Sequence, residues 1–231
     1  MRQLIFVRKG VLEWREAPDP GLESPTDARV RPFAVARCDL DNAFLSMDIA
    51  ARLEWGRRLG RVDPRVKRDF GAKPFEGPFA YGHECVAEVV SVGTDVTSLA
   101  VGDVVIVPFQ ISCGRCLTCR RGLTPHCETV RTERPIAAYG FTDNIGGVWG
   151  GAMSDLVRVP FADHMLVPVP DGVDPVDLAS ASDNIPDGWR GVGPHLDRYP
   201  GAPVLVLGGR ARSVGLYAAG IAVALGAERV D

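Results

Sequence analysis

Four cysteines within fifteen residues constrain this chain more than any other feature. Cys113, Cys116, Cys119 and Cys127 follow the spacing C-x2-C-x2-C-x7-C. Four thiolates on so short a loop close a tetrahedron around Zn²⁺, with bonds near ~2.3 Å. Gly114 and Gly122 let the backbone turn tightly enough for this. A closed four-sulfur shell leaves no open position, so the expected metal is structural. Ligand type alone also admits an iron–sulfur cluster. His126, beside Cys127, reads as a loop histidine because the cysteine set is already complete. Clustering of this kind fits a reducing compartment, where thiols hold metal more often than they pair as disulfides.

The other bounds are broad. At 231 residues the chain has room for one large domain or two modest ones. A net charge of -3, with no basic block, argues against nucleic acid as a partner. No apolar run is long enough to cross a bilayer. The N-terminus, MRQLIFVRKG, regains charge after five apolar residues and reads as a first strand instead of a signal peptide. A cytoplasmic location and no membrane partner are therefore expected.

From Met1 to about Pro170 the pattern is β. Val86 to Val92, Val104 to Val107 and Leu156 to Val159 are short β-branched runs, separated by Gly, Pro and Asp. Val101-Gly102-Asp103 is a turn leading into the second run. Short strands with frequent breakers favour a barrel-like or Greek-key domain. Leu40 to Arg68 departs from this pattern: a helix from about Asp48 to Arg58 fits it, but a surface excursion is the preferred reading. Cys85 is expected to pack inward from a strand, and His164 and His195 to lie on the surface.

After Pro170 the pattern changes. Asp174 is placed to cap a helix start with Pro175 at its first position. Val204 to Leu207 has the apolar continuity of a buried parallel strand. Gly208 and Gly209 follow, Ser213 to Leu225 reads as a helix, and Gly226 stops it. Arg229-Val230 then begins another apolar run, giving the start of a βαβ unit.

Gly82-His83-Glu84, then Glu88 to Gly93, then Val101 to Val105, resembles the zinc signature of medium-chain alcohol dehydrogenases. Cys38 upstream and the four-cysteine lobe downstream occupy the places that family gives them. Ser182-Asp183-Asn184-Ile185-Pro186-Asp187-Gly188-Trp189 resembles the third-ligand segment of the formaldehyde dehydrogenase-like branch. The resemblance covers nearly the whole chain and is strongest from Tyr81 to Cys127. It implies a mixed β and α/β fold: a GroES-like zinc-binding catalytic domain over 1–170, then over 171–231 the third-ligand segment and first βα(β) unit of a Rossmann domain.

The resemblance also implies a catalytic zinc held by Cys38, His83 and Asp183, so two zincs per chain, with NAD or NADP as cofactor. A carboxylate for a thiolate leaves the ligand charge unchanged, and the harder oxygen favours a stronger Lewis acid. Asp187 is the nearest rival to Asp183. Glu84 and Asp41 look like carboxylates that orient metal-bound side chains, with a pair of structural salt bridges as the plainer alternative. Glu84 is also a candidate to approach the metal in an alternate state. The implied reaction is hydride transfer between an alcohol or aldehyde and NAD(P), in a homo-oligomer when full length.

Several places depart from the family. Leu40 stands where many members have the Ser or Thr that begins a proton relay, and a leucine carries no proton. A relay must then run elsewhere or be absent, with Asp39 or a water as candidate carriers. Ala87 stands in place of a glycine. The interval from Cys38 to His83 is about twenty residues longer than usual, which implies a reshaped substrate entrance.

A strand, a glycine turn and a helix N-terminus make an anion site for pyrophosphate. Val204 to Gly215 has these parts in Gly208, Gly209 and Gly215, with Arg210 and Arg212 in a longer middle than G-x-G-x-x-G. The arginines are candidates for pyrophosphate or a 2′-phosphate, and a plain strand-to-helix turn is the alternative. The ribose-reading acid falls near or beyond Asp231, so a truncated cofactor domain is expected. Three readings follow: a zinc oxidoreductase, a non-enzymatic zinc-binding fragment, and a chain that binds metal in the four-cysteine lobe alone.

Overall fold

The computed structural model describes residues 1–63, 65, 75–130, 135–209 and 211–231. Two antiparallel sheets form the front of the molecule. The smaller has the order β2-β1-β4, from Val11–Glu16, Arg2–Arg8 and Phe79–Ala80. The larger has the order β7-β3-β5-β6-β8, from Val157–Val159, Ala28–Ala36, Glu84–Val92, Val104–Val107 and Val167–Pro168. The three expected β runs lie in β5, β6 and β7.

The larger sheet buries one face. Cys85, Ala87 and Val89 alternate along β5 and pack with Val30, Val105, Val107, Val157 and Met165. The Cys85 thiol packs inward as expected, and desolvation pushes it up to about 12. Pro32 interrupts β3 where the register shifts, a place where a missing N–H costs little. A second core joins Phe6, Phe44, Phe79 and Tyr81 beneath the smaller sheet.

The register of β3 on β5 sets the site. The two strands run antiparallel and pair Ala36 with Glu84 at their ends. Cys38 therefore follows the end of one strand as His83 precedes the start of the other.

The preferred reading of residues 40–68 as a surface excursion is corrected where the chain is described. A helix spans Asp39–Ser46 and another spans Ile49–Arg58. Asp48 caps the second by accepting from the Ala51 N–H, and Glu54 pairs with Arg57 and Arg58 one turn on. No residue of that helix is buried, so it carries no apolar stripe for periodicity to find. Residues 64 and 66–68 of that stretch lie outside the described residues.

In the last third, Asp174 caps a 3-10 turn over Pro175–Leu178, as its position predicts. Helix Asn184–Arg198 buries Asn184, Gly188, Val192 and Leu196, a face repeating every four residues. It packs on helix Arg212–Ala224 through Val192, Leu196 and Ala222. The backbones come so close that a Cβ on Gly188 would lie 2.8 Å from Tyr217 Cβ. Gly226, at φ +80, follows the second helix.

The buried strand expected at Val204–Leu207 is corrected. The run makes one parallel bridge, Val204 to Val230, and Leu205 and Leu207 are 66% and 82% exposed. A parallel strand is buried by neighbours at both edges and layers on both faces, and the described residues supply one edge. Among the described residues, no helix is long and apolar enough to cross a membrane.

Candidate metal centres

Two clusters of metal-ligating side chains stand out among the described residues. In each, the ligand atoms lie within 4.8 Å of one another.

The first is Cys113, Cys116, Cys119 and Cys127. A short helix, Leu117–Arg120, starts from Cys116 and carries Cys119, and the turn Thr124–His126 delivers Cys127. The sulfurs of Cys116 and Cys127 are 4.0 Å apart, far beyond a disulfide bond, and all four thiols are free. Two sulfurs bound to one tetrahedral zinc sit about 3.8 Å apart. The Cys113 and Cys116 N–H groups donate to the sulfurs of Cys127 and Cys113, at 3.3 and 3.4 Å, and Thr129 Oγ1 donates to Cys113 at 3.1 Å. The Thr118 hydroxyl and the Cys119 N–H lower Cys116 to about 5, while burial and the neighbouring Cys116 raise Cys119 to about 12. Thiolates crowded this closely favour a shared cation.

His164 is exposed, as expected, and its ring packs against this lobe. Its Nε2 lies 2.9 Å from Ser112 Oγ, and its ring covers Gly114, where a Cβ would come within 2.5 Å. His126 lies in the turn before Cys127, and His195 is exposed on helix Asn184–Arg198.

The second cluster is Cys38, His83, Glu84 and Asp183. His83 Nε2 lies 3.3 Å from Cys38 Sγ and 3.4 Å from Asp183 Oδ2. A tetrahedral zinc with bonds of about 2.3 Å to sulfur and about 2.0 Å to nitrogen separates those atoms by roughly 3.5 Å. Cys38, His83 and Glu84 are buried and Asp183 is partly so. Asp187, the rival, pairs with Arg190 instead.

The surroundings fit a cation. Burial opposes a charge on His83, but Asp183, Cys38 and Asp41 outweigh it and raise its pKa well above the ordinary value. The field that draws a proton to Nε2 is the field that would hold a divalent ion there. His83 Nδ1 and Asp41 Oδ1 face each other at 3.5 Å, and neither has another hydrogen-bond partner. Were Nε2 to hold a metal, the Nδ1–H would face Asp41, the usual arrangement for a ligating histidine. Asp41 Oδ2 accepts from the Cys38 N–H at 3.1 Å, and Tyr81 donates to the Asp41 carbonyl at 2.8 Å. Burial raises the pKa of Asp41.

Among the described residues, Glu84 makes no salt bridge. It accepts from Ser180 and Asn184, and burial raises its pKa. Phe109 meets His83 edge-on and Phe141 meets it tilted, at centroid distances of 5.5 Å each. Sequence reasoning missed Ser180, Phe109 and Phe141, which carry no motif, and passed over Asn184 inside one.

Gly140 fixes the backbone behind His83. It sits at φ +73, and a Cβ there would fall 2.4 Å from the Gly82 carbonyl oxygen. Only glycine allows both the left-handed backbone and that approach.

At the glycine turn, Gly208 and Gly209 border open space, and Gly215 contacts Val206 at an ordinary distance for an added Cβ. Arg212 begins the helix, and Arg210 lies outside the described residues. Ala211 gives this helix no side-chain cap. Asp39 does so from 174 residues away, accepting from Ser213 N–H at 2.9 Å and Ser213 Oγ at 2.7 Å. These bonds hold its carboxyl below the usual value.

Residues 24–171 match the alcohol dehydrogenase GroES-like domain. The chain is 40% identical over 233 residues to a glutathione-independent formaldehyde dehydrogenase of Pseudomonas aeruginosa, covering 99% of this chain and 53% of that protein. It is 30% identical over 209 residues to a Mycobacterium tuberculosis protein named "Probable zinc-binding alcohol dehydrogenase", covering 90% of this chain and 45% of the other. Among solved structures, the alcohol dehydrogenase of Thermus sp. ATN1 superposes with a TM-score of 0.75 at 29% identity, over all of this chain and 57% of that one. The chain thus spans about half the length of these relatives.

Proposed function

Because the chain belongs to the zinc-dependent medium-chain alcohol dehydrogenase family, we propose that Cys38, His83 and Asp183 hold a catalytic zinc for hydride exchange between an alcohol or aldehyde and NAD(P). The observation that carries this reading is the approach of Cys38 Sγ and Asp183 Oδ2 to His83 Nε2, at 3.3 and 3.4 Å, from positions far apart in the chain. Such a zinc supplies Lewis acidity, easing loss of an alcohol proton or polarising a carbonyl. Cys113, Cys116, Cys119 and Cys127 hold a second, structural zinc, giving two per chain. The cofactor carries the redox chemistry, and the protein orients the reacting atoms.

The chain's own residues have distinct tasks. Cys38 and Asp183 bring two negative charges, and Asp41 keeps the His83 proton on Nδ1. Phe109 and Phe141 keep water from the His83 ring. Leu40 carries no proton, and its N–H is turned onto Cys38 Sγ at 3.2 Å. Asp39 is committed to Ser213, which disfavours it as a proton carrier.

We place the domain boundary near residue 170. The separate apolar cluster of Val192, Leu196 and Ala222 supports it. Gly208, Gly209, Arg212 and Gly215, with Arg210, form the proposed phosphate turn.

A cobalt-substituted chain tests the open position. Titration with a small alcohol or aldehyde is expected to shift the visible cobalt bands, and the shift is lost in His83→Ala. Bands that ignore every such guest refute an open catalytic site.

A further inference from the structure

Glu84 has both carboxylate oxygens engaged, and its partners bracket Asp183. Oε2 accepts from Ser180 Oγ at 2.7 Å and from the Asn184 N–H at 3.4 Å. Oε1 accepts from Asn184 Nδ2 at 2.9 Å. Ser180 precedes Asp183 by three residues and Asn184 follows it directly. Glu84, Ser180 and Asn184 are all buried.

The Asp183 carboxylate makes no capping bond to the helix it begins. Its own helix therefore does not orient it. Besides the Asp183 and Ile185 N–H bonds to the Ser180 carbonyl, the segment on both sides of Asp183 is held by the Glu84 carboxylate, adjacent to His83 in the chain. One strand end thus offers His83 directly and holds the segment of a second ligand through Glu84. A carboxylate that satisfies three donors must shed them before it turns to a metal.

We propose that Glu84 is a positioning residue, a clamp that holds Asp183 against Cys38 and His83 through Ser180 and Asn184, and not a fourth metal ligand. This rests on the zinc reading above.

The test compares wild type, Glu84→Ala, Ser180→Ala, Asn184→Ala and the double variant Ser180→Ala/Asn184→Ala. The readouts are zinc content under graded chelator, far-UV circular dichroism and the spectrum of the cobalt form. The double variant keeps Cys38, His83, Asp183 and Glu84 intact. A clamp predicts that it releases one of two zincs at about 10- to 100-fold lower chelator than wild type. Its cobalt bands change, and the four-cysteine metal and the fold stay. Glu84→Ala does the same.

If Glu84 is a ligand, freeing it leaves the second zinc held as tightly or more tightly, and that result overturns the clamp. Should the double variant unfold, the single variants decide by the same comparison, each expected to loosen one zinc. A wild-type chain holding only the four-cysteine zinc overturns the zinc reading and the clamp with it. Two zincs in wild type with unchanged variants overturn the clamp alone.

Discussion

Asp183 is the residue on which sequence and geometry bear most directly. Its sequence context suggests a ligand by resemblance, and its carboxylate lies 3.4 Å from His83 Nε2. Asp183→Ala is expected to lower the zinc content from two per chain to one. Asp183→Cys keeps the ligand charge and is expected to retain both, as elemental analysis would show. Gly140 offers a stability test at the same scale. Alanine there meets a left-handed backbone and the Gly82 carbonyl together, so Gly140→Ala is expected to cost about 2–4 kcal/mol in denaturant unfolding. His83 and the four cysteines were legible because their motifs are local. Ser180 and Gly140 were not, because each acts on a partner distant in the chain.

At the scale of elements, the pairing of β3 with β5 does what spacing alone does not reveal. It explains why Cys38 and His83 meet despite a separation of 45 positions. The strands themselves were legible from β-branched runs between breakers. Helix Ile49–Arg58 was misjudged because it buries nothing, although Asp48 and the Glu54–Arg58 spacing are its local signals. The Asp39 cap on helix Arg212–Ala224 has no sequence signal at all. Asp39→Ala is expected to weaken that helix start by about 0.5–2 kcal/mol, read as faster hydrogen exchange near Ser213.

Asp163, on the short helix Ala162–Met165, ties that turn to the loop at Thr97 and Ser98. Its carboxylate accepts from the hydroxyls and N–H groups of Thr97 and Ser98, which lowers it to about 2 from an ordinary 3.8. A depressed folded-state pKa stabilises above the unfolded value and loses its effect as pH falls toward the folded one. The melting-temperature gap between wild type and Asp163→Asn is therefore expected to be full above about pH 5. It should narrow between about 4 and 2. The group is exposed, so the gap should be small.

For the whole molecule, the front sheets enclose their cores, while the Val204–Leu207 run stays open to solvent. The sequence pattern announced a strand, glycine turn and helix in the right order, but burial depends on neighbours that the described residues do not supply. The central claim is that two distinct metal sites share one chain, and native mass spectrometry of the purified protein tests it most directly. The account predicts two zincs, with His83→Ala leaving one and Cys113→Ser removing the other. A single zinc that survives His83→Ala would contradict it.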